Sequence, residues 1–311
     1  MTFEEFKVLI EKELSEALAN EEIKVFVKEV PKTNGIKHYG LSFKDKEGIV
    51  CPVIYLESFF NRFTSGRTIG EIVAEIKNLY YEFRVTEPVD FNYIYDFDKV
   101  KDHIYIKVLN AEKNTDIMNR APFLTLEDLI AVFYIKVRNK AIGEGSILVI
   151  NEFLEYWNTD ISHVAIAAIK NEKESEYELS PVADIVTEII KMSDDYPEDV
   201  KEEFIAKVER SREMNLFVLT NKDRFYGASK IFDPEVMMEV KEKLQGDFYI
   251  VPSSIHELIL LPASAKNEYF DSERLNELVN EVNTYELNPG DVLSNHIYYF
   301  DGDMKKVVSV V

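Results

Sequence analysis

From Met214 to the end of the chain the apolar pattern keeps changing period, in the order strand, helix, strand, strand, helix, strand, strand. Residues 216–220 read as a strand, and Asp233-Pro234 caps and starts a helix carrying Val236, Met237, Val240 and Leu244, with Gly246 at its end. Residues 247–251 and 258–261 are strands hinged at Pro252-Ser253-Ser254. Asp271 caps a helix with Leu275, Leu278, Val279 and Val282, and residues 297–300 and 307–311 close as strands around Asp301-Gly302-Asp303. Some of these strands are joined by short turns and others by single helices. Parallel neighbours need long crossovers, so the pattern predicts an α+β fold with antiparallel or mixed sheets flanked by helices.

The first half obeys the same logic. Thr2-Phe3-Glu4-Glu5 is a capping box, and Phe3, Phe6, Ile10, Leu14, Ala17 and Leu18 follow at helical spacing, which predicts a helix over 2–19. Residues 22–30 and 38–44 alternate about the turn Lys32-Thr33-Asn34-Gly35, as an antiparallel hairpin does. Asp45-Lys46-Glu47-Gly48 supplies a further turn into Ile49-Val50-Cys51, and residues 54–63 read as helical. Thr68-Ile69-Gly70-Glu71 is a second capping box, feeding Ile72, Val73, Ile76, Leu79, Tyr80 and Phe83. Residues 103–108 and 126–137 look like strands, with 138–145 as a loop and 146–150 as the return strand. Helices are expected over 151–157, from Thr159 or Asp160 through Ala168, and from Ser180-Pro181 with Ile185, Val186, Ile189 and Ile190 buried; a surface helix begins at Pro197. A seam near Pro122 predicts two packed α+β parts, 1–120 and 121–311.

With 311 residues, 46% of them hydrophobic and 12% aromatic, the chain can build a substantial core, which excludes disordered and disulfide-stapled classes. Its 36 Lys and Arg against 57 Asp and Glu give a net charge of −21. That balance argues against direct nucleic-acid binding and against an anionic membrane surface. The N-terminus lacks a basic stretch followed by an apolar one, no apolar run reaches membrane-spanning length, and Cys51 is the one cysteine. A cytoplasmic setting is expected, with no intramolecular disulfide and no cofactor.

Nucleotide, zincin and nucleophile-elbow signatures (Gly-x-Gly-x-x-Gly, Gly-x-x-x-x-Gly-Lys-Ser/Thr, His-Glu-x-x-His, Gly-x-Ser-x-Gly) are missing from the sequence, and the five histidines show no metal-ligand spacing. The most reactive-looking string is Pro252-Ser253-Ser254-Ile255-His256-Glu257. In an extended segment Ser254 and His256 share a face while Glu257 points to the other, so a Ser–His pair is sterically possible and Glu257 could not orient it. The alternative is a tight turn whose serine hydroxyls satisfy backbone groups beside Pro252. The polar loop 221–229 at a strand end, with Asn221, Gly227 and Ser229, could join Ser253 in binding a ligand, or could be a plain turn with small residues that let helix and sheet approach.

Residues 216–221, the Tyr226-Gly227-Ala228-Ser229 string and residues 247–257 with Pro-Ser-Ser-Ile-His-Glu resemble an uncharacterised bacterial domain-of-unknown-function family, over most of the chain. The order of strand, Ala-Ser helix and strand is also similar, in pattern alone, to the YtpQ-like proteins. Neither resemblance implies an activity, a cofactor or a catalytic residue. What remains is an expectation of a non-catalytic binding or regulatory protein acting on a protein partner. The alternatives are a hydrolase-like site at Ser254, His256 and Glu257, and a DNA mimic if the carboxylates line up on one face.

Overall fold

A computed structural model describes residues 1–44, 53–85, 90–140, 143–193, 195–210, 212, 215–265, 272–285 and 287–310. The expected turn at 45–48, the strand at 49–51 with Cys51, and the Asp271 cap lie outside them. The chain divides into two compact units, Met1–Ile94 with Val137–Gly145, and Tyr95–Lys136 with Ser146–Val311. Pro122, with the residues on both sides of it, falls in the second unit.

The first unit contains α1 (Phe3–Ala17), β1 (Lys24–Pro31), β2 (Lys37–Lys44), β3 (Ile54–Tyr55), α2 (Glu57–Thr64) and α3 (Ile69–Phe83). Both capping boxes form: Glu5 N donates to Thr2 Oγ1 while Thr2 N donates to Glu5, and Thr68 and Glu71 repeat the arrangement. These contacts satisfy amides that have no partner within the helix. The strands form an antiparallel sheet in the order β1-β2-β3, and Asn34 and Gly35 adopt positive φ in the turn that joins the first two. Phe6, Ile10 and Leu14 of α1, Ile72, Ile76 and Tyr80 of α3, and Val25, Leu41 and Phe43 of the sheet make one core, in which Phe43 stacks on Tyr80 at 4.4 Å. Residues 54 and 55 pair with β2 rather than starting a helix, and α2 begins only at Glu57.

The second unit begins with α4 (Phe97–Val100), β4 (Ile104–Asn110), α5 (Thr115–Met118), β5 (Phe123–Leu126), β6 (Leu129–Asn139), β7 (Gly143–Leu148), α6 (Asn151–Tyr156) and α7 (Ile161–Glu174). It continues with β8 (Tyr177–Pro181), α8 (Val182–Met192), α9 (Glu198–Arg210), β9 (Phe217–Asn221), α10 (Pro234–Leu244), β10 (Phe248–Val251), β11 (Leu258–Pro262), α11 (Ser272–Tyr285), β12 (Ile297–Asp301) and β13 (Lys306–Val310). The tip of the β6–β7 hairpin is the segment grouped with the first unit. β4, β6 and β5 are antiparallel neighbours in that order with β7 paired to β6, and a six-stranded sheet runs β13-β12-β10-β11-β9-β8. Its pairs, too, are all antiparallel, so the chain is an α+β protein.

Several boundaries differ from the sequence reading for identifiable reasons. The run 126–137 is broken by a turn at Glu127, whose φ of 54° splits it into β5 and β6. Helix α10 ends on Gln245 in the left-handed conformation, one residue before Gly246. Strand β8 occupies residues expected to lead straight into α8, and it forms an edge of the large sheet beside β9. Helix α8 does follow Pro181, but among its residues only Ala183 is buried, and Ile189 is 62% exposed. Alternation gives the faces of the large sheet. Tyr249, Val251, Leu261, Ile297 and Val310 pack with Leu275 and Val279 of α11, while Phe248 stacks on Phe300 at 5.2 Å on the other side. Among the described residues, no helix is long and apolar enough to cross a membrane.

Candidate functional site

Strand β9 delivers Thr220 and Asn221 to the start of a polar loop, and the Asn221 side chain closes it. Asn221 Oδ1 accepts from Phe225 N at 3.1 Å, and its Nδ2 donates to Phe225 O at 2.9 Å. This clamp accompanies positive φ at two residues other than glycine, Arg224 (49°) and Tyr226 (57°), a conformation that costs free energy unless neighbouring structure holds it. The neighbouring structure is the turn at 254–257. Tyr226 N donates to His256 Nδ1 at 3.2 Å, Thr220 Oγ1 donates to His256 O at 2.8 Å, and Ala228 N donates to Ile255 O at 3.4 Å. Beneath them, Ile255 N donates to Asp291 O at 3.0 Å.

Asn221, Gly227, Ser254 and His256 thus converge, as the sequence suggested they could, but the space between them is filled. A Cβ on Gly227 would stand 2.2 Å from Thr220 Oγ1 and 2.6 Å from His256 O, so only glycine lets the loop approach the turn. Ser254 is buried, and its Oγ accepts from His256 N at 3.0 Å while its own N donates to Glu257 O at 3.1 Å. That is the turn arrangement in which a serine hydroxyl satisfies the backbone two residues on. Ser253 is half-buried. Glu257 lines a cleft of about 30 Å³ with Glu178, Ser180, Ile185, Val218, Thr220 and Arg224, whose lining includes neither Ser254 nor His256. Ser229 is buried elsewhere, with its Oγ donating to Glu172 Oε2 at 2.8 Å.

The imidazole of His256 lies almost parallel to the Tyr226 ring, 5.6 Å away at 17°. Tyr134 meets Tyr226 edge-on at 5.1 Å, and Lys107 Nζ sits 4.5 Å from the Tyr226 centroid. Burial pulls the His256 pKa below the ordinary imidazole value, with the Lys107 charge acting the same way and Asp291 and Glu257 opposing it. The hydrogen-bond geometry agrees. Because Nδ1 accepts an amide proton, the neutral ring carries its own proton on Nε2, and protonating Nδ1 would break the bond to Tyr226. Since the folded pKa is depressed, the stabilisation is complete above the unfolded value of about 6.5 and is lost as pH falls through that value toward the folded pKa. The His256 ring resonances should therefore titrate with a midpoint below 6.5, and His256→Gln should flatten the fall in unfolding midpoint between about pH 7 and 5. An ordinary midpoint, or an unchanged slope in the variant, would refute this account.

A second polar constellation was not singled out by the sequence. In the turn between β5 and β6, Asp128 accepts from Tyr298 OH at 2.5 Å and from Ser294 Oγ at 3.0 Å, with Asn110 Nδ2 at 3.3 Å. Ser294 Oγ also lies 3.0 Å from His296 Nδ1. His296 Nε2 stands 3.3 Å from Asp128 Oδ1 without the alignment of a hydrogen bond. Burial and the bond to Asp128 raise the Tyr298 pKa well above the usual phenol range. Serine, histidine and aspartate are within reach of one another here, but Ser294 is 1% exposed and its hydroxyl is shared between Asp128 and His296. The Ser294 hydroxyl is covered while His296 and Asp128 reach the surface in part, and the network fastens the β5–β6 turn to β12. Only the spacing Ser294-x-His296 could have flagged it, since Asp128 is 166 residues away from Ser294. Among the described residues no group of three or more His, Cys, Asp and Glu could hold a metal ion.

The profile of a family of unknown function, DUF5688, matches residues 3–302. No curated protein matches the chain, and no solved structure does.

Proposed function

We propose that this chain, which belongs to DUF5688, is a non-catalytic binding module that engages a protein partner through the helical hairpin of α8 and α9. One observation carries the reading. Ile189 and Met192 stand at helical spacing on α8 and are 62% and 75% exposed, and Tyr196 in the connection and Phe204 on α9 are in edge contact at 5.6 Å with both rings open to solvent. Scattered exposed apolar residues are ordinary, whereas several of them grouped on one helical hairpin mark a surface that awaits cover. The polar loops give indirect support. Asn221, Ser254 and Ser229 spend their side-chain groups on the protein's own backbone and carboxylates, and the backbone, not the imidazole, holds the Ser254 hydroxyl.

The test compares wild-type chain with the Ile189→Ser/Met192→Ser double variant as baits in a native lysate. Both substitutions are at exposed positions, so the fold should be retained. A protein enriched by the wild type and lost from the variant supports the reading, while identical sets of bound proteins would overturn it.

A further inference from the structure

Resting on that reading, we infer that the partner presents a basic amphipathic helix to the α8–α9 hairpin. The argument is one of shape and charge. The two helices run antiparallel, because Arg212, just beyond α9, pairs with Asp184 in the first turn of α8. An antiparallel pair with exposed apolar side chains on α8, a helix about 16 Å long, offers a face against which the ridge of a third helix can pack.

The hairpin that carries this face is acidic. Residues 182–212 hold nine Asp or Glu against five Lys or Arg, a net of −4. Asp184 and Glu188 on α8, Asp195 in the connection, and Glu198, Glu202 and Glu203 on α9 are all exposed. Lys201 pairs with Glu198, Lys207 with Glu203, and Arg212 with Asp184 and Glu209, so cations and carboxylates are engaged together within the hairpin and its excess negative charge rests on the other acidic residues, among them Glu188, Asp195 and Glu202. A second copy of this chain would bring another −21 against this surface, and a nucleic acid or anionic lipid would be repelled in the same way. Apolar contact combined with positive charge satisfies both features of the hairpin.

The experiment titrates the 311-residue chain into a fluorescent Leu–Lys peptide of about 18 residues, five helical turns, with leucines at helical spacing. A control peptide of the same composition alternates Leu and Lys. Anisotropy is read at about 0.05 and 0.3 M salt, either side of physiological screening. The helical peptide should bind at least about tenfold tighter than the alternating one. Ile189→Ser/Met192→Ser should weaken it about tenfold, and Glu188→Lys/Glu202→Lys should weaken it and flatten its salt dependence.

Equal binding of the two peptides, or binding indifferent to both pairs of substitutions, would overturn the inference. So would a dimer of the wild type in sedimentation that Ile189→Ser/Met192→Ser abolishes, since the occupant would then be a second copy. If the peptide fails while a lysate partner is still lost from that variant, the hairpin remains the docking surface and only the class of partner falls. If both fail, the binding reading falls with it.

Discussion

Lys230→Met is expected to destabilise the second unit by about 3–5 kcal/mol, the range found when one member of a buried ion pair is removed. Lys230 and Glu172 are 1% and 4% exposed. The ammonium has three protons and three acceptors: Glu172 O at 2.5 Å, Ser175 O at 2.8 Å and Glu172 Oε2 at 3.2 Å. Two of these are backbone carbonyls at the C-terminus of α7, where a helix has carbonyls without partners and where a positive charge is favoured. The carboxylate is equally occupied, accepting from Ile106 N at 3.2 Å and from Ser229 Oγ at 2.8 Å. Methionine fills a similar volume but leaves a desolvated carboxylate and two orphaned carbonyls.

Adding Glu172→Gln should restore part of the loss, because a neutral amide can still accept from Ile106 N through its oxygen and donate through its NH2 group to the Ser229 hydroxyl, which turns from donor to acceptor, without a buried charge. Urea unfolding followed by Trp157, the one tryptophan and a member of the second unit, reads this directly. A loss under about 1 kcal/mol for Lys230→Met would show that water reaches the pair and that the interpretation is wrong.

Sequence periodicity reached the elements whose causes are local. Helices α1 and α3 were legible because their caps and their apolar stripes lie within a few residues of one another. The β1–β2 hairpin was legible for the same reason, with turn chemistry at Asn34 and Gly35 between alternating runs. Strand β8 was not, since Tyr177–Pro181 is short, ends in proline and sits at a sheet edge where neither face is fully buried. The exposure of Ile189 and Met192 was illegible in principle. Periodicity shows that a helix has an apolar face, and says nothing about whether another element covers it.

The candidate site divides along the same line. Asn221, Gly227, Ser254 and His256 were found because each stands out in its own loop, and the structure brings them together. Their bonds show why coming together is not the same as forming a cavity: the glycine closes the gap that a ligand would need. Glu172 with Lys230, and Asp128 with Ser294 and His296, are joined across 58 and 166 residues of chain, and no local pattern links them.

Gly227→Ala carries the second large expected effect, about 3 kcal/mol or more of destabilisation, at the upper end of what overpacking costs. The new methyl carbon would stand 2.2 Å from Thr220 Oγ1, 2.6 Å from His256 O and 2.7 Å from Asn221 N. Thr220 could rotate away only by giving up its bond to His256 O. The other two contacts are backbone atoms, one in β9 and one in the 254–257 turn, and moving them means separating the loop from the turn. That separation would break Tyr226 N to His256 Nδ1 and hydrate the ring, so the His256 pKa should rise back toward the ordinary value as the protein loses stability. Gly246→Ala is the matched control, because nothing lies within 4 Å of a Cβ there and its effect should stay within about 0.5 kcal/mol. Thr220→Ala in the Gly227→Ala background should recover little, since it relieves the side-chain clash and leaves both backbone clashes in place. Full recovery in that double variant would place the strain in the threonine alone and would remove the argument that glycine is needed for the loop to meet the turn.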